Sequence, residues 1–228
     1  MAGGRAAAGG AGIPPYRRWY GGGMSELPQL PLSAGHRDRL VAGMAAAVRA
    51  HGYRDSTVTE VVAHARTSRR SFYEQFEDRE ACYLALFDVV GELLVEAVAA
   101  SVDPAAGWEE QVDQALGTYV DAIASEPELT VSFIREVPAL GAVGTARQRD
   151  AIESFARLLM RLASSDGMQR SGVSRVSMAT AVLLVGGLRE LVAHAIEHDE
   201  PLSEVRAVAS DVIKSVLDPG RVTARAPH

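Results

Sequence analysis

The sequence predicts an all-α protein of about nine helices, with a three-helix helix-turn-helix domain before a larger helical domain. Apolar residues recur at spacings of three and four through most of the 228 residues, which is typical of helices with one buried face. We find no alternating segment bounded by turn residues that would indicate a strand. Aromatic residues are only 6% of the chain, so Leu, Val and the strong helix former Ala must supply most of the core.

The first three predicted helices are short and have clear end signals. Ser33 can cap a helix that Gly52 ends. Thr57-Val-Thr-Glu60 has the pattern of a capping box, in which each side chain bonds the other residue's backbone amide. It opens a second helix that ends near Ala65. A third helix begins at Thr67 or Ser68 and continues to Phe76.

The rest of the chain is predicted to form six longer helices. Asp78 caps a helix from Arg79 to about Ala100. Further helices are expected at about 108–125, 127–137, 145–164, 175–198 and 202–217, with a polar loop at Ser165–Ser174. These elements suggest a helix-turn-helix domain at 34–80, a second helical domain at 81–218, and disordered ends at 1–33 and 219–228.

The N-terminal arm is rich in glycine and proline and shows no helical or strand period. Its Arg5, Arg17 and Arg18, with aromatic neighbours, suit contacts along a nucleic-acid backbone or in a minor groove. The alternative is a translation start at Met24, with the preceding residues a solvated tail. Both interpretations stay open at this point.

Charge is divided unevenly along the chain. Residues 1–70 carry ten Arg against four Asp and Glu, a net +6, and the remainder carries −12. This polarity favours a polyanionic partner at one end. No apolar run approaches the ~20 residues of a membrane span, and no secretory signal is present, so we expect a cytoplasmic protein. The single Cys82 forms neither a disulfide nor a cysteine metal site within the chain.

The segment Val58–Phe76 has the pattern of a helix-turn-helix. Phe72 and Phe76 are four residues apart and can face inward. The side chains left outside suit DNA, since Arg matches guanine, Gln matches adenine and hydroxyls donate to phosphates. The predicted DNA-binding residues are Thr57, Thr67, Ser68, Arg69, Arg70, Ser71, Tyr73, Gln75 and Arg79. The alternative is a polar surface helix of an ordinary bundle.

The stretch from Thr57 to Ala81 resembles the DNA-binding signature of the TetR family of bacterial regulators, with Tyr73-Glu-Gln-Phe76 at its centre. The resemblance extends over about residues 36–87 and is architectural only beyond them. It implies a homodimer that binds a near-palindromic double-stranded DNA operator, usually as a repressor, and that a small-molecule inducer releases. One departure is Arg66, where the family usually has glycine; a left-handed backbone there would cost arginine about 1 kcal/mol. A milder departure is Arg79, where lysine is common.

The resemblance also places a four-helix dimer interface on the last two helices. Apolar residues cover more than one face of the penultimate helix, which indicates burial on more than one side. The predicted interface residues are Val182, Val185, Gly186, Leu188, Val192, Val205, Val208, Val212 and Val216. The alternative is a core confined to one chain.

Inward apolar stripes of the second domain supply candidates for a ligand pocket, although residues of this kind are more often plain core than pocket wall. They are Phe87, Leu94, Tyr119, Ile123, Phe133, Phe155 and Leu159. A pocket of this kind would favour a mostly apolar ligand held by a few polar groups, for which Arg135 and Glu136 are candidates.

Two rival functions find less support in the sequence. An enzyme would be expected to show a phosphate-binding glycine loop, a nucleophile elbow or a metal cluster, and we find no such motif; we predict no catalytic residue, metal or cofactor. His194 and His198 have a spacing that can bind a metal, but a third ligand is not evident. A helical adaptor that has kept an unused helix-turn-helix is the second rival, and the charge polarity speaks against it.

Overall fold

The computed structural model describes residues 35–220, and every regular element in that range is helical. The predicted all-α fold is therefore confirmed. The helices are α1 His36–Asp55, α2 Val58–His64, α3 Arg69–Tyr73, α4 Arg79–Ser101, α5 Trp108–Ser125, α6 Pro127–Arg135, α7 Gly141–Ala163, α8 Asp166–Arg170, α9 Met178–Glu197 and α10 Leu202–Leu217. The predicted cap at Ser33, the arm at 1–33 and the tail beyond Gly220 lie outside the described residues.

The helix ends follow the predicted signals. Gly52 takes a left-handed φ of 75° and interrupts α1, a conformation that glycine adopts without strain. Thr57 and Glu60 form the complete capping box of α2, and Ser68 and Asp78 cap α3 and α4 through their side chains. These caps satisfy amides that have no partner within their helices.

The end of α2 is closed by a left-handed residue at the position of the departure noted above. Arg66 has φ 50°. Its amide donates to Ala63 O (3.2 Å), and the amide of Thr67 donates to Val62 O (3.0 Å). This pair of bonds is the Schellman motif, whose left-handed position is usually glycine. An arginine therefore carries the strain in the turn of the helix-turn-helix.

Three differences from the sequence prediction lie in the second half of the chain. The predicted polar loop at 165–174 contains α8, which Ser165 caps. The penultimate helix starts at Met178, because Ser177 caps it. Finally, α7 begins at Gly141, directly after a short 3-10 turn at Pro138–Leu140.

The buried side chains form three clusters. The first joins α1 to α4 and also takes Leu129, Phe133 and Val137 from α6 and its C-terminal turn. The second and third lie between α4, α5, α7, α9 and α10. Because α6 belongs to the first cluster, the helix-turn-helix rests directly on the larger helical region.

Candidate nucleic-acid interface and interior cavities

The third helix is anchored by aromatic side chains on its inner face. Phe72 is fully buried and Phe76 nearly so, with ring centroids 5.8 Å apart. The guanidinium of Arg37 covers the Phe76 ring at 4.9 Å. Burial of two phenyl groups holds a helix of only five residues in place, and this fixes which of its sides faces solvent.

Five of the predicted DNA-binding residues lie together on the outer side of α3 and its ends. Ser68, Arg69, Arg70 and Gln75 are exposed, and Tyr73 is 58% exposed. Arg70 pairs with Glu74 through Nε and Oε1 (3.0 Å). A pair this exposed is worth little, so Arg70 can exchange Glu74 for another acceptor.

The remaining hydroxyl candidates take part in helix caps. The hydroxyl and the backbone amide of Thr57 donate to Glu60 Oε2 (2.9 and 2.7 Å). These two bonds lower the pKa of Glu60. Ser71 Oγ lies 3.0 Å from Ser68 Oγ, and Thr67 is half-buried at the Schellman turn. Thr57 and Ser71 thus form side-chain bonds at helix ends, and Thr67 closes the end of α2 through its backbone amide.

Arg79 is bonded to the backbone at the end of α1. Its Nη1 donates to the backbone oxygens of Tyr53 (3.0 Å), Arg54 (3.2 Å) and Ser56, and its guanidinium covers the Tyr53 ring at 4.3 Å. These bonds satisfy carbonyls at the end of α1. Arg79 Nη1 therefore joins α1 to α4 within the protein, and a contact of Arg79 with a phosphate stays a prediction.

Two neighbouring cavities open inside the larger helical region, with volumes of about 110 Å³ and 100 Å³. We call the first, which lies beside α6, the upper cavity, and the second, which extends towards α10, the lower cavity. Six predicted pocket residues line the upper cavity: Phe87, Leu94, Tyr119, Ile123, Phe133 and Phe155. Leu159, the seventh, lines the lower cavity. Each volume has room for several water molecules.

A pair of rings and a valine separate the two cavities. Tyr119, Phe155 and Val185 line both of them. The Tyr119 and Phe155 rings meet edge to face, with centroids 5.6 Å apart. Burial raises the pKa of the Tyr119 hydroxyl to about 12, so this group is a neutral donor at physiological pH.

The sequence analysis missed the polar residues of the upper cavity, which are Glu126, Thr130, Gln148 and Arg189. Arg189 and Gln148 line it, from α9 and α7 respectively. The sequence feature that could have identified Arg189 is its position, because this cation directly follows the apolar run Ala181–Leu188. The two polar candidates proposed instead lie elsewhere: Arg135 pairs with Glu190 and Glu197, and Glu136 with Arg54.

A chain of ring contacts leads from the upper cavity to the helix-turn-helix. Phe87 meets Phe133 with centroids 5.4 Å apart, and Phe133 meets Tyr83 at 5.7 Å. Tyr83 stacks on Tyr53, at the end of α1, at 3.9 Å. The Tyr83 hydroxyl is also hydrogen-bonded to Ser132 of α6 (2.6 Å). The end of α1 is thus in contact, through three rings, with a wall of the upper cavity.

The predicted dimer residues separate into two groups. Val182, Val208 and Val212 are exposed, and Gly186 and Val216 are half-exposed. Val185 and Leu188 line the cavities, while Val192 and Val205 are buried in the second cluster. The side chains of these last four face the interior of the same chain, and their place in a dimer interface stays a prediction.

The exposed group belongs to a larger apolar surface on α9 and α10. The prediction missed Leu183, which is 73% exposed, and Leu191 at 43%. An added side-chain carbon at Gly186 or Gly187 would meet nothing within 4 Å. By length and hydropathy alone, α9 could also cross a membrane. Contacts with α6, α7 and α10 cover one side of it.

The two histidines of α9 stack with ring centroids 4.0 Å apart. His194 Nε2 lies 3.8 Å from Glu200. Within residues 35–220, no group of three or more His, Cys, Asp or Glu side chains is arranged to hold a metal ion.

Comparisons with known proteins match both parts of the chain. Residues 42–86 match the family model for bacterial regulatory proteins of the tetR family. No curated protein matches the sequence. The solved structure of the transcriptional regulator FadR from Bacillus subtilis, in complex with stearoyl-CoA, is similar at 14% identity and TM-score 0.65, covering 79% of this chain and 97% of that one.

Two further structures show the same fold. The reduced form of E. coli NemR has 15% identity and TM-score 0.64, with 81% of this chain and 99% of that chain covered. A TetR-family transcriptional regulator from Pectobacterium atrosepticum has 25% identity and TM-score 0.59, with 79% and 91% covered. The similarity therefore includes the C-terminal helices as well as the helix-turn-helix.

Proposed function

We propose that this chain, whose helix-turn-helix belongs to the TetR family of bacterial regulators, represses transcription as a homodimer on a near-palindromic operator. Members of the family are DNA-binding regulators rather than enzymes. The observation that carries the proposal is the outer side of α3, where Arg69, Arg70, Tyr73 and Gln75 are exposed together while Phe72 anchors the helix. This arrangement suits a recognition helix in the major groove.

Dimerisation through α9 and α10 would cover the exposed apolar surface. Leu183, Val208 and Val212 are each at least 47% exposed in the single chain, and monomers rarely leave such patches open. Gly186 and Gly187 would let a helix of the second copy approach closely. A two-fold dimer of this kind would read two half-sites about one helical turn, ~34–36 Å, apart.

Release from the operator would begin in the upper cavity. A ligand that displaces Phe133 would disturb Tyr83 and then Tyr53, which stacks on it. Arg79 bonds the same end of α1, so α1 and α4 would move together. The occupant that the lining favours is mostly apolar; the stearoyl-CoA held by the B. subtilis relative is consistent with that chemistry.

The experiment that tests the proposal is selection of random or genomic duplex DNA by the full-length protein at ~150 mM salt, followed by sequencing. Salt at this level weakens the electrostatic binding to DNA phosphates, which is the same for all DNA sequences. We expect an enriched inverted repeat. Absence of enrichment, with protein shown to be folded and free of bound ligand, would contradict the regulator and favour the adaptor.

Two sets of variants test the recognition helix and the dimer interface separately. The double substitution of Arg69 and Arg70 by Ala should abolish enrichment while leaving the melting temperature and the dimer unchanged. Arg157→Ala, at an exposed arginine of α7, controls for loss of charge and should still select the repeat. Leu183→Asp should convert the dimer to a monomer in light scattering, because it places a carboxylate in an apolar interface. An intact dimer would remove the proposed interface.

A further inference from the structure

The upper cavity contains a cation that lacks an acidic partner. Arg189 Nη2 donates to the backbone oxygen of Ile134 (2.8 Å). The side-chain oxygen of Gln148 lies 2.5 and 2.6 Å from the two terminal nitrogens of Arg189, with the amide oriented by its hydrogen bonds. Both acceptors are neutral. Among residues 35–220, no carboxylate forms an ion pair with Arg189, since Glu190 and Glu197 are both engaged with Arg135.

This cation is also poorly solvated. Arg189 is half-buried, and burial lowers the pKa of its guanidinium. A charge taken out of water is costly unless an opposite charge compensates it. The walls beside it are mostly apolar and include Leu94, Ile123 and Phe155. The carboxylate in the lining, that of Glu126, is bound by Arg49 through two bonds of 2.6 and 2.7 Å.

A second donor lies near Arg189. The Tyr119 hydroxyl makes no hydrogen bond to any residue that the structure describes, and the nearby charge of Arg189 opposes the rise that burial causes in its pKa. Tyr119 has accessible surface although it is deep in the fold, because it faces the cavities. A guanidinium and a phenol that are both able to donate into an apolar space are arranged to receive an anion.

We propose that Arg189 and Tyr119, with Gln148 holding the guanidinium in place, bind the carboxylate of an apolar acid. The inference rests on the proposed function, since it names the ligand class of the same regulator. Arginine suits this task because its planar fork can meet both oxygens of a carboxylate. To reach the lower cavity, whose lining from Leu116, Leu159 and Leu184 is apolar, the acid's apolar chain would have to displace the Tyr119 and Phe155 rings, which are in contact in this structure.

The test is calorimetric titration of the full-length protein, stripped of bound lipid, with dodecanoate and with its neutral ester, methyl dodecanoate. We expect wild-type protein to bind the acid about tenfold more tightly than the ester, the worth of one hydrogen bond to a charged group. Arg189→Gln should remove that preference and leave binding of the ester unchanged, while Arg189→Lys should keep part of it. Tyr119→Phe should weaken binding of the acid by about threefold to tenfold, and binding of the ester by a smaller factor.

The control is Arg161→Gln, which removes an equal charge from the exposed side of α7. It should leave both affinities unchanged. Equal affinity of wild-type protein for acid and ester, no binding of dodecanoate, or an equal loss in the control would each overturn the inference. The acid-to-ester comparison in wild-type protein decides the matter even if an Arg189 variant does not fold.

The two proposals fail separately because the titration contains no DNA. If dodecanoate binds through Arg189 but does not release the selected operator, the binding site stands and ligand-controlled repression fails. If an operator is selected but wild-type protein does not prefer the acid, the regulator stands and the carboxylate site is overturned.

Discussion

Replacing Arg66 by glycine should stabilise the protein. Arg66 is the left-handed residue that closes α2, with φ 50°. A side chain in this conformation costs roughly 1–2 kcal/mol, whereas glycine adopts it freely. Glycine also makes the unfolded chain more flexible, which takes back about 0.4–1 kcal/mol. We therefore expect the free energy of unfolding to rise by about 0.5–1 kcal/mol.

Urea unfolding at a fixed protein concentration measures this gain, and the concentration matters because a dimer's apparent stability depends on it. In a domain of this size the corresponding rise in melting temperature is roughly 1–4 °C. The slope of the urea dependence should not change, since the folded surface is the same.

Arg66→Ala is the matched control. It removes the same charge as the glycine variant but keeps the β-carbon that causes the strain, so we expect no comparable gain. Arg66→Asn should fall between the two, because asparagine tolerates the left-handed region better than alanine does. An alanine variant as stable as the glycine variant would refute the backbone argument and point to charge repulsion instead.

Three further predictions concern packing, pH and capping. Gly43→Ala should lower the free energy of unfolding by about 1–3 kcal/mol, because the added carbon would lie 2.5 Å from Val61 O. The control is Gly91→Ala, whose added carbon would have no neighbouring atom within 4 Å. It should be neutral or stabilising in the same urea series. Burial raises the pKa of the Cys82 thiol from 9.0 to about 12, so this thiol ionises at lower pH in the unfolded chain than in the folded one. The free energy of unfolding should therefore fall as pH rises from about 9 towards 12. A Cys82→Ala variant whose decline is as steep as that of wild type would contradict this. Asp78→Ala removes the cap of α4 and should cost about 1 kcal/mol, which Asp78→Ser should largely restore.

Local sequence determined the helices and most of their ends. Helical periodicity and caps depend on residues no more than four positions apart, as in the capping box of Thr57 and Glu60, so they can be read before any tertiary contact is known. The strained turn was predictable for the same reason, because Arg66 stands where the resemblance called for glycine. The outward face of α3 followed from the spacing of Phe72 and Phe76.

The tertiary structure decided how each apolar or charged side chain is used. An apolar helix such as α9 has more candidates for burial than one interface requires, so only packing could separate buried Val192 from exposed Leu183. Arg79 donates to acceptors more than twenty residues away, at the end of α1. Arg189 lies in the upper cavity and is bonded there to residues of α6 and α7. Contacts over such separations depend on how whole helices pack, and spacing within a single helix carries no information about them.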